Sequence, residues 1–125
     1  MVTPRRAGPA PAHLNEVHLV GRLAATPVHR ELPSGDLLVQ FRLVVDRAPL
    51  GRPRPGQAGR GPTIDTLDCA AWRKDVQRTM AGARPGDLID VSGSLRRRFW
   101  RAATGPASRT EVEVVKARRL ARAAA

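Results

Sequence analysis

Aromatic residues are scarce in this chain: two tryptophans, two phenylalanines and no tyrosine among 125 residues. Each of the four therefore matters, because aromatic side chains dominate both cores and contact surfaces. Cysteine occurs once, at Cys69, so no internal disulfide can form and a disulfide scaffold is excluded. A reducing, cytoplasmic setting is expected. No run of about eighteen apolar residues is present, so no membrane-spanning helix is expected. Two arginines near the start are not followed by an apolar stretch, so no secretory signal is expected. Acid is in short supply as well: 22 basic residues face 11 acidic ones, a formal net charge of +11. Lysine is nearly missing; only Lys74 and Lys116 are not arginine. Such a surplus attracts polyanions, nucleic acid first and anionic membrane second. GC-rich coding would also favour arginine, with no functional meaning.

The length suits one domain with one core. Residues 1–13, MVTPRRAGPAPAH, carry three prolines and no acid. They read as a disordered basic arm, because proline neither donates to a ladder nor continues a helix. From Leu14 to about Arg118 the chain alternates as a folded domain does. Val17, Leu19, Gly21 and Leu23 share one face of a first strand, against His18, Val20 and Arg22. Residues 24–36 hold Pro27, Pro33 and the Ser34-Gly35-Asp36 turn signal, and read as a loop. A second strand places Leu37, Val39, Phe41, Leu43 and Val45 on an apolar face. Leu38, Gln40, Arg42, Val44 and Asp46 form its mixed face. Residues 48–62 contain four prolines, four glycines, three arginines and no acid, and read as a long mobile loop within the domain. A third strand, Ile64 to Trp72, points Leu67, Cys69 and Ala71 inward, and Thr66, Asp68, Ala70 and Trp72 outward. Residues 73–83 suit a short helix with Val76 and Met80 on one face. Pro85-Gly86-Asp87 stops it. A fourth strand runs from Leu88 to about Arg101, with a bulge or bend expected at Gly93. Gly105-Pro106 marks a turn, and a fifth strand spans Arg109 to about Arg118. The basic, alanine-rich tail KARRLARAAA, residues 116–125, reads as a frayed helix. Five strands with one short helix between the third and fourth fit an all-β OB-fold, a five-stranded Greek-key barrel. An open five-stranded sandwich fits the same pattern.

Catalytic chemistry finds little support. His13, His18 and His29 are scattered, and lone histidines more often sit on surfaces than bind metal. Cys69 lies in an apolar strand, where a buried structural thiol is the better reading. No phosphate loop precedes a helix and no nucleophile elbow occurs. No enzyme activity, cofactor or metal is expected. The informative segment is LRRRFWR, Leu95 to Arg101. Alternation puts Leu95 and Phe99 toward the core with Arg97, and Arg96, Arg98 and Trp100 outward together. Two cations and an indole on one exposed strip make a stacking platform with phosphate clamps. Trp72 should also point out, and an exposed tryptophan suggests a partner surface. Covering the helix end is the alternative for Trp72. Phe41 belongs to the core. Arg42 lies on the opposite face beside Gln40, where it can touch phosphate.

The segments NEVHLVGRL, LPSG, FRLVVDR, IDTLDCAAWRK, GDLIDVSGSLRRRFW and TEVEVV, in this order and spacing, resemble bacterial single-stranded DNA-binding proteins. The resemblance runs from about Leu14 to Leu120. It implies an OB-fold that wraps single-stranded DNA without sequence preference, in the nucleoid, commonly as a homotetramer serving replication, recombination or repair. It also implies that the aromatics closing the third strand and late in the fourth stack on bases; those positions match Trp72 and Trp100. The family's basic positions before the late aromatic match Arg96 and Arg98. Two departures bear on binding. The loop aromatic of many members is replaced by Ala48 and Pro49, and the early third-strand aromatic by Thr66. Arg52, Arg54 and Arg60 in the long loop offer charge and guanidinium stacking in their place. No acid follows Glu113, so recruitment of partner proteins through an acidic tail is expected to be absent, as in an accessory paralogue or a shortened chain. Two rivals remain at this level. An RNA-binding OB module would use the same charges, separated only by 2′-OH contacts. A protein-interaction module of the primosome type, having lost DNA binding, would bury Trp72 and Trp100 at a subunit interface.

Overall fold

The computed structural model of the chain describes residues 12–48 and 63–124. Strand β1 (Val17–Leu23) alternates as expected: Gly21 and Leu23 are buried, Val17 and Leu19 pack against the core, and His18, Val20 and Arg22 are exposed. Strand β2 (Val28–Glu31) falls within residues 24–36, where a loop was expected. All four of its residues are exposed, so no apolar alternation announces it. Pro27 and Pro33 flank this edge strand and do not interrupt it, which sheet hydrogen bonding tolerates. The turn back to β3 (Leu37–Asp46) is closed by the Leu32 N–H donating to the Asp36 carbonyl at 2.8 Å. Gly35 takes φ +90° there, a conformation that only glycine adopts without strain.

Strand β4 (Ile64–Ala71) leads into helix α1 (Lys74–Ala81). The helix buries Val76 and Met80, four residues apart on one face. Its first turn carries Asp75, whose carboxylate accepts the Val76 N–H at 2.9 Å, satisfying one orphan donor. The Gln77 amide donates to the carbonyls of Leu37 and Ala71 at 2.9 and 3.0 Å, tying helix to sheet. Strands β5 (Leu88–Ala102) and β6 (Gly105–Ala121) form one long hairpin. Ser92 opposes Lys116 while Gly93 opposes Val114, so the bulge expected at Gly93 is present. A side chain cannot stand there: a Cβ on Gly93 would overlap the Glu113 carbonyl oxygen.

The strand order is β1-β5-β6-β4-β3-β2, and β1 returns to β3 through Arg22↔Val44 and Leu23↔Leu43. Five strands, β1, β5, β6, β4 and β3, therefore close on themselves, with β2 added beside β3. The open sandwich is excluded. All adjoining pairs are antiparallel except β4 and β6, joined in parallel at Cys69↔Val112 and Ala70↔Glu113. Inside lie Leu23, Phe41, Leu43, Ile89, Val91 and Val114, with Val76 and Met80 of the helix packed into the same cluster. Fully burying an aliphatic side chain of this kind contributes about 1.5–3 kcal/mol. The buried Asp87 carboxylate accepts the backbone N–H groups of Arg84 (2.9 Å) and Ala123 (2.7 Å). It thus joins the helix exit to the end of β6. These two donors, together with nearby Arg119, hold it below the usual carboxylate range.

Several expectations need correction. The tail does not form a helix; β6 continues through Ala121. It also starts earlier than Arg109, at Gly105, just after the turn at Ala103 and Thr104. Leu95 and Phe99 are not core residues: they are 48% and 70% exposed. The pairing of β1 with β5 ends at Val17↔Gly93, so beyond that point β5 has only β6 beside it. The hairpin runs off the barrel as a two-stranded arm, and alternation there has no opposing wall to face. At the start of β3 the expected sides are reversed, with Leu37 exposed and Leu38 buried. Ala70, expected outward, is buried too. Leu38 and Ala70 lie outside the main core cluster, on the face of β3 and β4 that carries Gln40.

Candidate nucleic-acid interface

Strands β2 and β3 and the β5–β6 arm converge on one cleft. Gln40 of β3 sits directly opposite Ala70 of β4 and Val28 of β2. Arg98 and Arg109 face each other across the arm, followed by Trp100 opposite Ala107. Arg30, Gln40, Arg98, Trp100 and Arg109 line this cleft. An adjoining depression shares Arg30, Gln40 and Arg109 and adds Arg42, Asp68 and Glu111. The two together hold four guanidiniums against two carboxylates.

The carboxylates hold most of these arginines in place. The Arg42 Nε donates to Asp68 Oδ1 at 2.9 Å, and Arg109 approaches the other Asp68 oxygen at 3.9 Å. Arg98 lies 3.6 Å from the buried Glu111 carboxylate, and Arg96 3.3 Å from Glu113. Arg30 has no acidic partner among the described residues. The exposed pairs, Arg42–Asp68, Arg109–Asp68 and Arg96–Glu113, contribute little to stability, about 0–1 kcal/mol each. They orient the guanidinium planes and leave further N–H donors for a phosphate. The Trp100 indole is 43% exposed among them, a flat apolar face with cations at its rim.

The expected site residues separate into groups. Arg98 and Trp100 share the cleft, and Arg42 lines the depression beside it. Arg96 lines neither. Trp72, 40% exposed, lies in a separate depression with Leu37, Lys74, Gln77 and Arg78, beside the helix. The two indoles are both at the surface but do not share one pocket. Arg52, Arg54 and Arg60 lie outside the described residues. Sequence reading missed Arg30 and Arg109. Arg30 sat in a segment read as loop, and Arg109 at a strand start with no face assigned. Once β2 and the register of the arm are known, both fall on the cleft side.

The remaining candidates for chemistry are quiet. Cys69 is buried, and burial with the nearby Asp68 and Glu111 carboxylates pushes its thiol up to about 12. Among the described residues no three histidine, cysteine or acidic side chains cluster as metal ligands. Also among them, no helix is long and apolar enough to cross a membrane.

The model of the single-strand binding protein family matches residues 14–120. A single-stranded DNA-binding protein of Halalkalibacterium halodurans is 34% identical over 87 residues, covering 70% of this chain and 48% of that one. One from Caldanaerobacter subterraneus is 33% identical over 92 residues, covering 74% and 57%. Single-stranded DNA-binding protein A of Bacillus subtilis is 33% identical over 85 residues, covering 68% and 46%. The chain thus spans about half the length of the relatives it matches. A solved Plasmodium falciparum SSB in complex with ssDNA superposes with a TM-score of 0.68 over 87% of this chain and 95% of that one. At 21% identity this likeness shows the fold alone, an OB barrel. With 107 consecutive residues accounted for by one family model, this chain belongs to the single-strand binding protein family.

Proposed function

We propose that the protein binds single-stranded DNA without sequence preference, by stacking bases on tryptophan and neutralising phosphates with arginine. The observation that carries this is the half-exposed Trp100 indole set among Arg30, Arg98 and Arg109 in one cleft. Every base has a π-face, so stacking tolerates any sequence and contributes roughly 1–3 kcal/mol per base. A duplex hides those faces. Arg42 extends the cationic track along β3, and Trp72 offers a second surface indole beside the helix. Arg96 and the loop arginines Arg52, Arg54 and Arg60 complete the set of cations assigned to the strand. The same reading includes a homo-oligomer, commonly a tetramer in relatives, acting in the cytoplasm in replication, recombination or repair. The edge of β1 supports self-association: Val17 to Gly21 pair with β5 on one side only.

The test is a titration of intrinsic tryptophan fluorescence with oligo-dT and with duplex DNA of equal length. Oligo-dT is expected to quench the signal, and duplex to bind far more weakly. Affinity should fall by about 0.7 log units per tenfold salt for each phosphate neutralised. Trp100→Ala should weaken binding by roughly 1–3 kcal/mol and leave thermal stability unchanged. Equal affinity for duplex, or a variant that fails only by unfolding, would sink the proposal.

A further inference from the structure

Beyond the barrel the arm has two faces, and their chemistry differs. On the cleft side, Arg96 and Arg98 are paired to Glu113 and Glu111. On the reverse side, past the core residue Val112, the directly opposed pairs are Arg97↔Thr110, Phe99↔Ser108 and Arg101↔Pro106. No acid stands among them. Arg97 and Arg101 have no carboxylate partner among the described residues. Phe99 is 70% exposed, the most exposed of the four aromatics. The Arg97 guanidinium lies over its ring, 5.6 Å from the centroid, held by two contacts of 3.3 Å to the Ser108 hydroxyl. Phe99 is not solitary: Leu95, 48% exposed, lies on the same face, and an apolar strip rimmed by charge marks a contact surface. The neighbouring charge says what would cover it: two unpaired guanidiniums select a polyanion, and the open ring selects something flat.

Building on the single-strand reading above, we propose that the reverse face of the arm, Phe99 with Arg97 and Arg101, is a second stacking site for the same strand. A strand that leaves the Trp100 cleft passes round the arm, and a base stacks on Phe99 while the two arginines take the flanking phosphates. The arm is a single layer two strands wide, so neighbouring residues 99 and 100 project to opposite sides, and the path between the sites is short.

The experiment compares Phe99→Ala and Trp100→Ala with wild type on two lengths of oligo-dT. One is about 6 nucleotides, within the reach of a single barrel, and the other about 35. Trp100→Ala should weaken both. Phe99→Ala should leave the short oligonucleotide unchanged and weaken the long one roughly 5- to 150-fold. Arg97→Gln should lower the salt slope for the long one by about 0.7. Oligonucleotides carrying 5-iododeoxyuridine should crosslink to Phe99 in wild type. Unchanged affinity of Phe99→Ala for the long strand overturns the second site while leaving the Trp100 cleft standing. A change in sedimentation of DNA-free Phe99→Ala also overturns it, by showing that the face is a contact between copies. Wild type binding neither length defeats both readings.

Discussion

Cys69 and Trp100 show how far a single residue's role depends on its surroundings. Cys69 lies on β4 between half-buried Asp68 and buried Ala70 and ends inside the barrel, hydrogen-bonding weakly to the Leu67 carbonyl at 3.8 Å. With its thiol pushed up to about 12, almost no thiolate exists near neutrality. At pH 8 iodoacetamide should label the native protein roughly a thousandfold more slowly than the urea-unfolded chain. Intact mass after timed quenching measures this; rapid native labelling would place the thiol at the surface. Trp100 lies on a strand of the same alternating kind but beyond the barrel wall, and stays half-exposed. The period-2 pattern was legible for both. What differed was whether a second layer stood opposite.

At the scale of elements, the β5–β6 arm decides where the candidate site lies. Gly93 starts it. There β1 stops pairing, the register slips by one residue, and the Glu113 carbonyl comes too close for any side chain. Gly93→Ala must push β6 away or flatten the bulge, at a cost of about 1–3 kcal/mol. A lowered urea midpoint with an unchanged slope is the expected result; an unchanged midpoint would mean that the strands separate freely. The sequence showed the glycine inside a strand and so the bulge. It did not show that the strand outlives its neighbours, and alternation alone therefore assigns Leu95 and Phe99 to the core. Strand β2 escaped notice for the complementary reason, because all of it is exposed and carries no apolar period. With it went Arg30.

Across the whole molecule, closure of the barrel brings chain segments far apart in sequence together, and Asp87 fastens the last of them. Its folded pKa lies below the unfolded value of about 3.9, so it stabilises the fold fully above that pH. The stabilisation is lost as pH falls through the folded pKa. Asp65 and Asp75, lowered by hydrogen bonds from Arg47 and Arg73, act in the same sense at the surface. Asp87→Asn should therefore melt at a lower temperature than wild type at pH 7, with the gap narrowing as both are acidified below about pH 4. Thermal melts at pH 7 and pH 3 decide it. A constant gap would mean that the side chain acts through shape and not through charge.

Local periodicity in the sequence settled the five barrel strands, the single helix, the glycine bulge and the buried thiol. These are properties of neighbours a few residues apart, where alternation and turn chemistry act directly. Tertiary structure alone decided which arginines meet Trp100, why Trp72 sits in a separate depression, and that the arm leaves its inner face open. Each of these depends on which distant strand lies opposite, and a residue's solvent exposure is fixed by that partner and not by its place in the alternation.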